Sequence, residues 1–288
     1  MNQLFSGNAI DVMKKKFGQN FDVNEEVAKS SLYFANVDEH VDFPRPISHK
    51  VVYMGGTGKV KAKPLEKKFE DIMQKSKKGV ILVSFGSVAL SINMPQEVKQ
   101  VFLETFKKFP DITFLWKYEK DEHKIAEGYE NVVTDKWVPQ NDLLEHPKLL
   151  GFVSHGGMNS VQEGASKGVP MVMIPLFADQ HRNSKMLEYR NMAVVLNRKE
   201  LTVEKLTEAL KKIIEDDSYR KNAKRISALI AAKPMSAEER IVKYTEFAAK
   251  FGPDLNLDME GRHLNFVQFY CLDIILPAIL LAAVVNYY

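Results

Sequence analysis

The pattern of apolar and polar positions changes character at Gly79. Beyond it, short apolar runs at residues 80–85, 112–118, 149–154, 171–174 and 193–196 alternate with longer stretches of helical periodicity at 96–109, 159–167, 179–190 and 203–214. Continuous apolar runs of strand length, separated by amphipathic helices, are the signature of a parallel sheet covered on both faces. The pattern predicts an α/β fold with a doubly wound parallel sheet.

Ahead of Gly79 the periodicity is weaker. Residues 22–30 read as a helix, with Asp22 as its cap and Glu25 and Glu26 in its first turn, and residues 31–37 read as a strand. Pro44 and Pro46 then stop regular structure, because each removes a backbone donor and restricts the residue before it. Gly55-Gly56-Thr57-Gly58 makes a second break before a charged linker. Residues 237–250 form a further amphipathic helix that Gly252-Pro253 ends.

Composition narrows the classes of function. Hydrophobic residues at 45% and charged residues at 27% are ordinary for a globular protein, and a net charge of +3 with dispersed Lys and Arg makes no case for nucleic acid. The densest basic stretch, residues 59–68 with Lys75, Lys77 and Lys78, is broken by Glu66, Glu70 and Asp71, as in a solvated linker and helix face. The single cysteine, Cys271, excludes an internal disulfide. Residues 1–20 carry Lys14-Lys15-Lys16 and no apolar core of signal-peptide length. His and Cys pairs at zinc spacing are absent, as is an Asp-x-Asp to hold a divalent ion on a pyrophosphate, so no metal is expected. Gly55-Gly56-Thr57-Gly58-Lys59 fails as a phosphate loop, since Tyr53 and Val60 stand where that loop needs Gly and Ser or Thr. No G-x-G-x-x-G follows the first strand of the alternating region, which argues against a dinucleotide cofactor.

The candidate chemistry lies between Trp137 and Gln180. A buried strand ends at Ser154, a helix begins at Asn159, and His155-Gly156-Gly157 joins them. The glycines let the backbone turn tightly and let a ligand approach the amides. The helix offers free N–H groups and the positive end of its dipole, which suits an anion such as pyrophosphate. His155 stands at the carboxyl end of the strand, where open α/β sheets bind ligands, and its imidazole can donate to a phosphate oxygen. Glu163, about one turn into the helix, can accept from a ribose diol. Trp137 offers a face for a flat base, worth about 1–3 kcal/mol by analogy with nucleotide stacking. Taken singly, each feature has an ordinary packing or solvation explanation; their joint spacing is what carries the case.

That spacing resembles the donor-binding signature of the UDP-glycosyltransferase superfamily, shared by animal UDP-glucuronosyltransferases and plant secondary-product glycosyltransferases. The block spans 44 residues, and Trp137, Gln140, His155, Gly157, Asn159, Ser160, Glu163, Asp179 and Gln180 fall on its positions without a gap. Val51-Val52-Tyr53-Met54-Gly55-Gly56 is similar to the family's entry into the donor domain, and Ser84-Phe85-Gly86-Ser87 to its first strand and glycine turn. Leu272-Asp273 ahead of an apolar run is similar to its membrane anchor and favours the animal branch.

The resemblance implies a Rossmann-like donor domain of a two-domain GT-B transferase, with a UDP-sugar as co-substrate, no metal, and inverting transfer of a hexosyl group, glucuronate above all, to a small lipophilic acceptor. It implies that Trp137 stacks on uracil, that Gln140 and Glu163 hold the ribose, and that Ser87, His155, Gly157, Asn159 and Ser160 surround the phosphates. Asp179 and Gln180 would bind the sugar hydroxyls. The family's catalytic base, a histidine oriented by an aspartate, belongs to an acceptor domain for which the residues before Val51 are too few. His40 and His49 match no catalytic motif and read as surface residues.

The expected organisation is a remnant of the acceptor domain and linker at residues 1–50, the donor domain at 51–236, an amphipathic helix and juxtamembrane linker at 237–263, and a transmembrane anchor at 264–288. A span needs about 20 mainly apolar residues. Residues 269–288 supply them if Asp273 lies at the interface, where its cost falls well below the roughly 2.5–3.5 kcal/mol of a central charge. Tyr270, Tyr287 and Tyr288 stand where an aromatic belt would be; a buried terminal helix is the alternative. The implied location is a single-pass endoplasmic reticulum membrane protein with a lumenal donor domain. Three readings stay open: the donor part of a full transferase, a donor-binding subunit that borrows its base from a membrane partner, and an inactive partner that dimerises with full-length relatives.

Overall fold

A computed structural model of the chain describes residues 7–56 and 62–287. Thr57, Gly58 and Lys59 of the rejected phosphate loop, Val60 beside them, and Tyr288 of the expected aromatic belt lie outside the described residues. In chain order the elements are α1 (Gly7–Phe17), α2 (Val23–Ala28), β1 (Tyr33–Ala35), β2 (Val51–Tyr53), α3 (Lys67–Lys75), β3 (Gly79–Ser84) and α4 (Gln96–Lys107). They continue with β4 (Ile112–Lys117), β5 (Val132–Asp135), α5 (Gln140–Glu145), β6 (Leu149–Ser154), α6 (Met158–Lys167), β7 (Met171–Met173) and α7 (Gln180–Tyr189). Last come β8 (Ala193–Val195), α8 (Val203–Glu215), α9 (Asp217–Ala231), α10 (Ala237–Phe251), α11 (Phe266–Phe269) and α12 (Leu272–Tyr287).

The chain divides into two compact units. One is drawn from Ala35–Arg45 and Tyr53–Ile241 and holds a six-stranded sheet in the order β5-β4-β3-β6-β7-β8, with every adjacent pair parallel. From β3 the chain winds outward through β4 to β5, returns to the other side of β3 with β6, and winds outward again. The direction of winding reverses between β3 and β6, the switch point at which ligands of such sheets bind.

Successive side chains of a strand point to opposite faces, and β3 is apolar on both. Val80 and Leu82 join Phe152, Val161, Ala165, Met186, Leu187, Ile226 and Ile230 on one face, under α6, α7 and α9. Ile81 and Val83 join Phe102, Phe106, Phe114, Trp116, Leu206, Leu210 and Ile213 on the other, under α4 and α8. The two covered faces explain why β3 and β6 read as unbroken apolar runs rather than alternating ones.

Strand β5 and helix α9 of this unit are among the elements that lie outside the periodicity reading. Strand β5 is a sheet edge with one fully buried side chain, Val132, so its sequence lacks the apolar run of a central strand. Helix α9 buries only Ala223, Ile226 and Ile230, a stripe too sparse to stand out among its charged residues. Residues 35–45 belong to this unit for a physical reason: Val37 and Val41 are in its core, and buried Asp38 accepts from Lys233 Nζ at 2.8 Å.

The other unit is drawn from Met1–Phe34, Pro46–Val52 and Val242–Tyr288. Asp22 caps α2 as expected, accepting from the N–H groups of Asn24 and Glu25. Lys50 pairs with Asp258 and donates to the carbonyl of Ala28, and Arg262 donates to the same carbonyl at 3.2 Å. The expected transmembrane helix finds no support here: no helix among the described residues is long and apolar enough to cross a membrane. Cys271, at φ 54°, separates the short α11 from α12, and α12 has 16 residues.

Candidate functional site

Neighbouring strands β3 and β6 end level, with Ser84 beside Ser154, and each runs into a glycine turn. After β3, Gly86 takes φ +85°, and a Cβ there would lie 2.9 Å from Cε1 of His155. After β6, Gly156 takes φ +88°, and a Cβ on the next residue, Gly157, would lie 2.6 Å from Nε2 of the same ring. The imidazole of His155 is held between two turns that only glycine can make this close. Gly157 is the N-cap of α6 and has no capping side chain, so the first amides of that helix carry no side-chain acceptor at the cap and face the same turn.

Burial is the main influence on His155, and it lowers the imidazole pKa below the ordinary value; Asp179 pulls it upward to a smaller extent. Its Nδ1 is buried with no hydrogen-bond partner among the described residues. Burial of the ring therefore favours its neutral form.

These turns form the floor of a cleft of about 570 Å³. Ser87, Trp137, Gln140, His155, Gly157, Asn159, Ser160 and Glu163 all line it. Gln140, the first residue of α5, donates from Nε2 to Glu163 Oε2 at 2.6 Å and to Ser160 Oγ at 3.2 Å, so α5 and α6 present a joined polar rim. Trp137 is 69% exposed although it is a large aromatic residue, and its backbone N–H is held by Asp135 Oδ1 at 3.2 Å. The exposed indole, the carboxylate rim and the amide-lined helix end together offer a stacking face, an acceptor for hydroxyls and an anion seat.

Asp179 and Gln180 are placed differently: neither lines this cleft. They stand at the start of α7, after Ala178 at φ 52°. Gln180 is buried, and its Oε1 accepts from the N–H groups of Leu176 and Phe177 at 2.8 and 3.0 Å. Asp179 Oδ2 accepts from Asn183 Nδ2 at 2.7 Å, and that amide also donates to the Gly156 carbonyl at 3.1 Å. In this arrangement both side chains brace the loop that backs the His155 turn. His40 is half-buried and His49 exposed, and neither lines the cleft.

Sequence reasoning assigned no site role to four polar residues of the lining: Ser84, Lys117, Asn141 and Asp142. Lys117 carried a usable signal, because it is a charge at the end of an apolar run, and it is buried. Asn141 and Asp142 belong to α5, a six-residue helix too short for its period to be read. Among the described residues no group of three His, Cys, Asp or Glu side chains is placed to hold a metal ion.

Comparison with known proteins identifies the family. The family model described as UDP-glucoronosyl and UDP-glucosyl transferase matches residues 1–288. The chain is 37% identical over 275 residues to ugt-48 of Caenorhabditis elegans, covering 93% of this chain and 52% of that protein. It is 35% identical over 257 residues to mouse UDP-glucuronosyltransferase 1A7, covering 88% of this chain and 48% of that one. The chain thus spans about half the length of the curated relatives it matches. A solved glycotransferase of kitacinnamycin shares the fold, with a TM-score of 0.67 at 20% identity over 85% of this chain and 61% of that one. With the family's match running over its whole sequence and its animal glucuronosyltransferases among the relatives, this chain belongs to the UDP-glucoronosyl and UDP-glucosyl transferase family.

Proposed function

We propose that this chain is the donor-binding half of an inverting UDP-glycosyltransferase and that UDP-glucuronate is its donor. The observation that carries the reading is the convergence on one cleft of eight residues, Ser87, Trp137, Gln140, His155, Gly157, Asn159, Ser160 and Glu163, contributed by three separate stretches of sequence. In this reading Trp137 takes the uracil face, and Gln140 with Glu163 takes the ribose diol. The diphosphate sits on the His155 turn and the start of α6, where dipole and free amides favour an anion. Asp179 and Gln180 act on the sugar once the loop they brace meets it. The acceptor is a small lipophilic alcohol or phenol, and the base that deprotonates it comes from outside this chain.

The proposed location is the endoplasmic reticulum membrane with the cleft on the lumenal side. Support comes from the exposed apolar residues Ile274, Leu280, Leu281 and Val285 of α12. Alkaline carbonate extraction of the chain with and without residues 264–288 tests it; release of the full chain into the soluble fraction would end the membrane reading.

Calorimetry with UDP, run beside a turnover assay with UDP-glucuronate and a phenolic acceptor, tests the function. Binding of UDP without transfer by the purified chain is the expected result. Absence of UDP binding overturns the donor-site reading, and transfer by the chain alone shows that the base lies within it. Preference for UDP-glucose over UDP-glucuronate in a competition titration would replace the sugar while keeping the site.

A further inference from the structure

Strand β4 is hydrogen-bonded both to β3, which leads into the Ser87 turn, and to β5, which leads into Trp137. Its last residue is Lys117, which pairs across to Asp135, two residues before Trp137. A side chain here can reach both walls of the cleft, and this one does. Lys117 Nζ donates to the Gly86 carbonyl at 2.8 Å, and it stands 5.5 Å from the centroid of the Trp137 ring.

The lysine is costly where it stands. Its side chain is 8% exposed, and burying an ammonium is unfavourable unless it is well paired. Glu119 Oε1, at 3.3 Å, supplies a counter-charge, and the other oxygen of that carboxylate accepts from the N–H of Ile92 at 3.1 Å. The carbonyl of Lys117 accepts from Ser91 Oγ at 2.8 Å, so Lys117 and Glu119 together pin both ends of the turn that carries Ser87. On the opposite side, the ammonium faces an aromatic ring that is otherwise largely exposed, an attraction that holds an indole in place. Either contact alone has a local explanation. One ammonium making both sets the spacing between the base platform and the phosphate turn.

We propose that Lys117 is a positioning residue for nucleotide binding, a strut that couples the orientation of Trp137 to the Gly86-Ser87 turn. The proposal rests on the donor-site reading above. It predicts that removing the ammonium harms recognition of the nucleoside as well as of the diphosphate, because both walls lose the same support. A lysine acting only as a phosphate counter-charge would leave uridine binding untouched.

Calorimetric titration of the full chain with uridine, UMP and UDP separates these cases, using wild type, Lys117→Met and Lys117→Arg. Lys117→Met is expected to weaken uridine and UDP by a similar factor of about ten, with Lys117→Arg recovering most of both. A second arm repeats Lys117→Met in a Trp137→Leu background, where its cost to uridine should largely vanish because the platform it steadies is gone. Loss confined to UMP and UDP, or an undiminished cost without Trp137, overturns the strut. If Lys117→Met fails to fold, Lys117→Met with Glu119→Gln removes the uncompensated carboxylate and carries the same titrations. Wild-type protein that binds no UDP marks failure of the donor-site reading itself, whereas wild-type binding with unchanged Lys117→Met affinities marks failure of the strut alone.

Discussion

Gln140 Nε2 and Glu163 Oε2 stand 2.6 Å apart, a hydrogen bond between two helices whose sequences are separated by a buried strand. The amide of Gln140 thereby orients a carboxylate whose second oxygen can answer a ribose hydroxyl. Glu163→Ala should weaken UDP binding by about ten- to a hundredfold, the loss of roughly 1.5–3 kcal/mol expected for hydrogen bonds to an ionised acceptor. The unliganded fold should lose less than about 1 kcal/mol, since the bond fronts an open cleft where water can replace it. Gln140→Ala should cost less, and the double variant no more than Glu163→Ala, because the two act as one unit. Calorimetry and denaturant melts of the three variants measure this; additive losses would show that each group binds independently.

Gly157→Ala tests the closeness of the two glycine turns. Its Cβ would fall 2.6 Å from His155 Nε2, so the ring must leave its place. We expect a destabilisation of about 1–3 kcal/mol from the forced shift, with UDP affinity down by at least about tenfold. Gly261→Ala, where nothing lies within 4 Å, should change stability by less than about 0.5 kcal/mol and leave UDP binding alone. Equal behaviour of the two variants in thermal melts and titrations would mean that His155 has room to move.

The pH dependence of stability should carry a signature of His155. Burial lowers its pKa in the folded chain below the unfolded value of about 6.5, so the unfolded chain binds more protons between the two values. Its contribution is therefore complete above pH about 6.5 and is lost as the pH falls through the folded pKa. Lowered carboxylate pKa values act in a lower window. Burial works to raise both Glu39 and Asp42, but for Glu39 its own backbone and Lys233 outweigh it, and for Asp42 the bonds from Arg182 and Tyr53 do. Denaturant melts from pH 7.5 to about 5 should show a falling stability that His155→Gln flattens; an unaltered slope in the variant would assign the titration to another group.

Ala178 occupies the left-handed region at φ 52°, where a Cβ is strained, immediately before Asp179 and Gln180. Ala178→Gly should raise stability by about 0.5–1 kcal/mol, the relief of the strain less the extra chain entropy of glycine. Equilibrium unfolding measures it, and destabilisation would mean that the methyl group packs to a greater benefit than its strain costs.

The sheet was legible in the sequence because its central strands are covered on both faces. Val80, Ile81, Leu82 and Val83 are all apolar, and all are fully buried in the structure, so their pattern alone declares a doubly covered strand. The turn from His155 to Gly157 was legible for a related reason: tight geometry restricts residue type, and the restriction shows as glycine. Eight of the ten expected site residues lie at one cleft, because they are carried just past the carboxyl ends of strands in one parallel sheet and on the helices that follow them. Gln180 shows where a sequence position leaves the immediate partner open, since only tertiary structure reveals its carbonyl oxygen engaged by the backbone of Leu176 and Phe177. Strand β5 and helix α9 escaped the reading because an edge strand and a sparsely buried helix leave little periodic trace. The apolar run after Asp273 read as one continuous helix from Phe269, but the left-handed backbone at Cys271 divides it into α11 and α12, a break that the apolar pattern does not show. Lys117 belongs most fully to the tertiary level. Its meeting with both Gly86 and Trp137 depends on β4 lying between β3 and β5, a neighbourhood that no run of residues in one dimension can state.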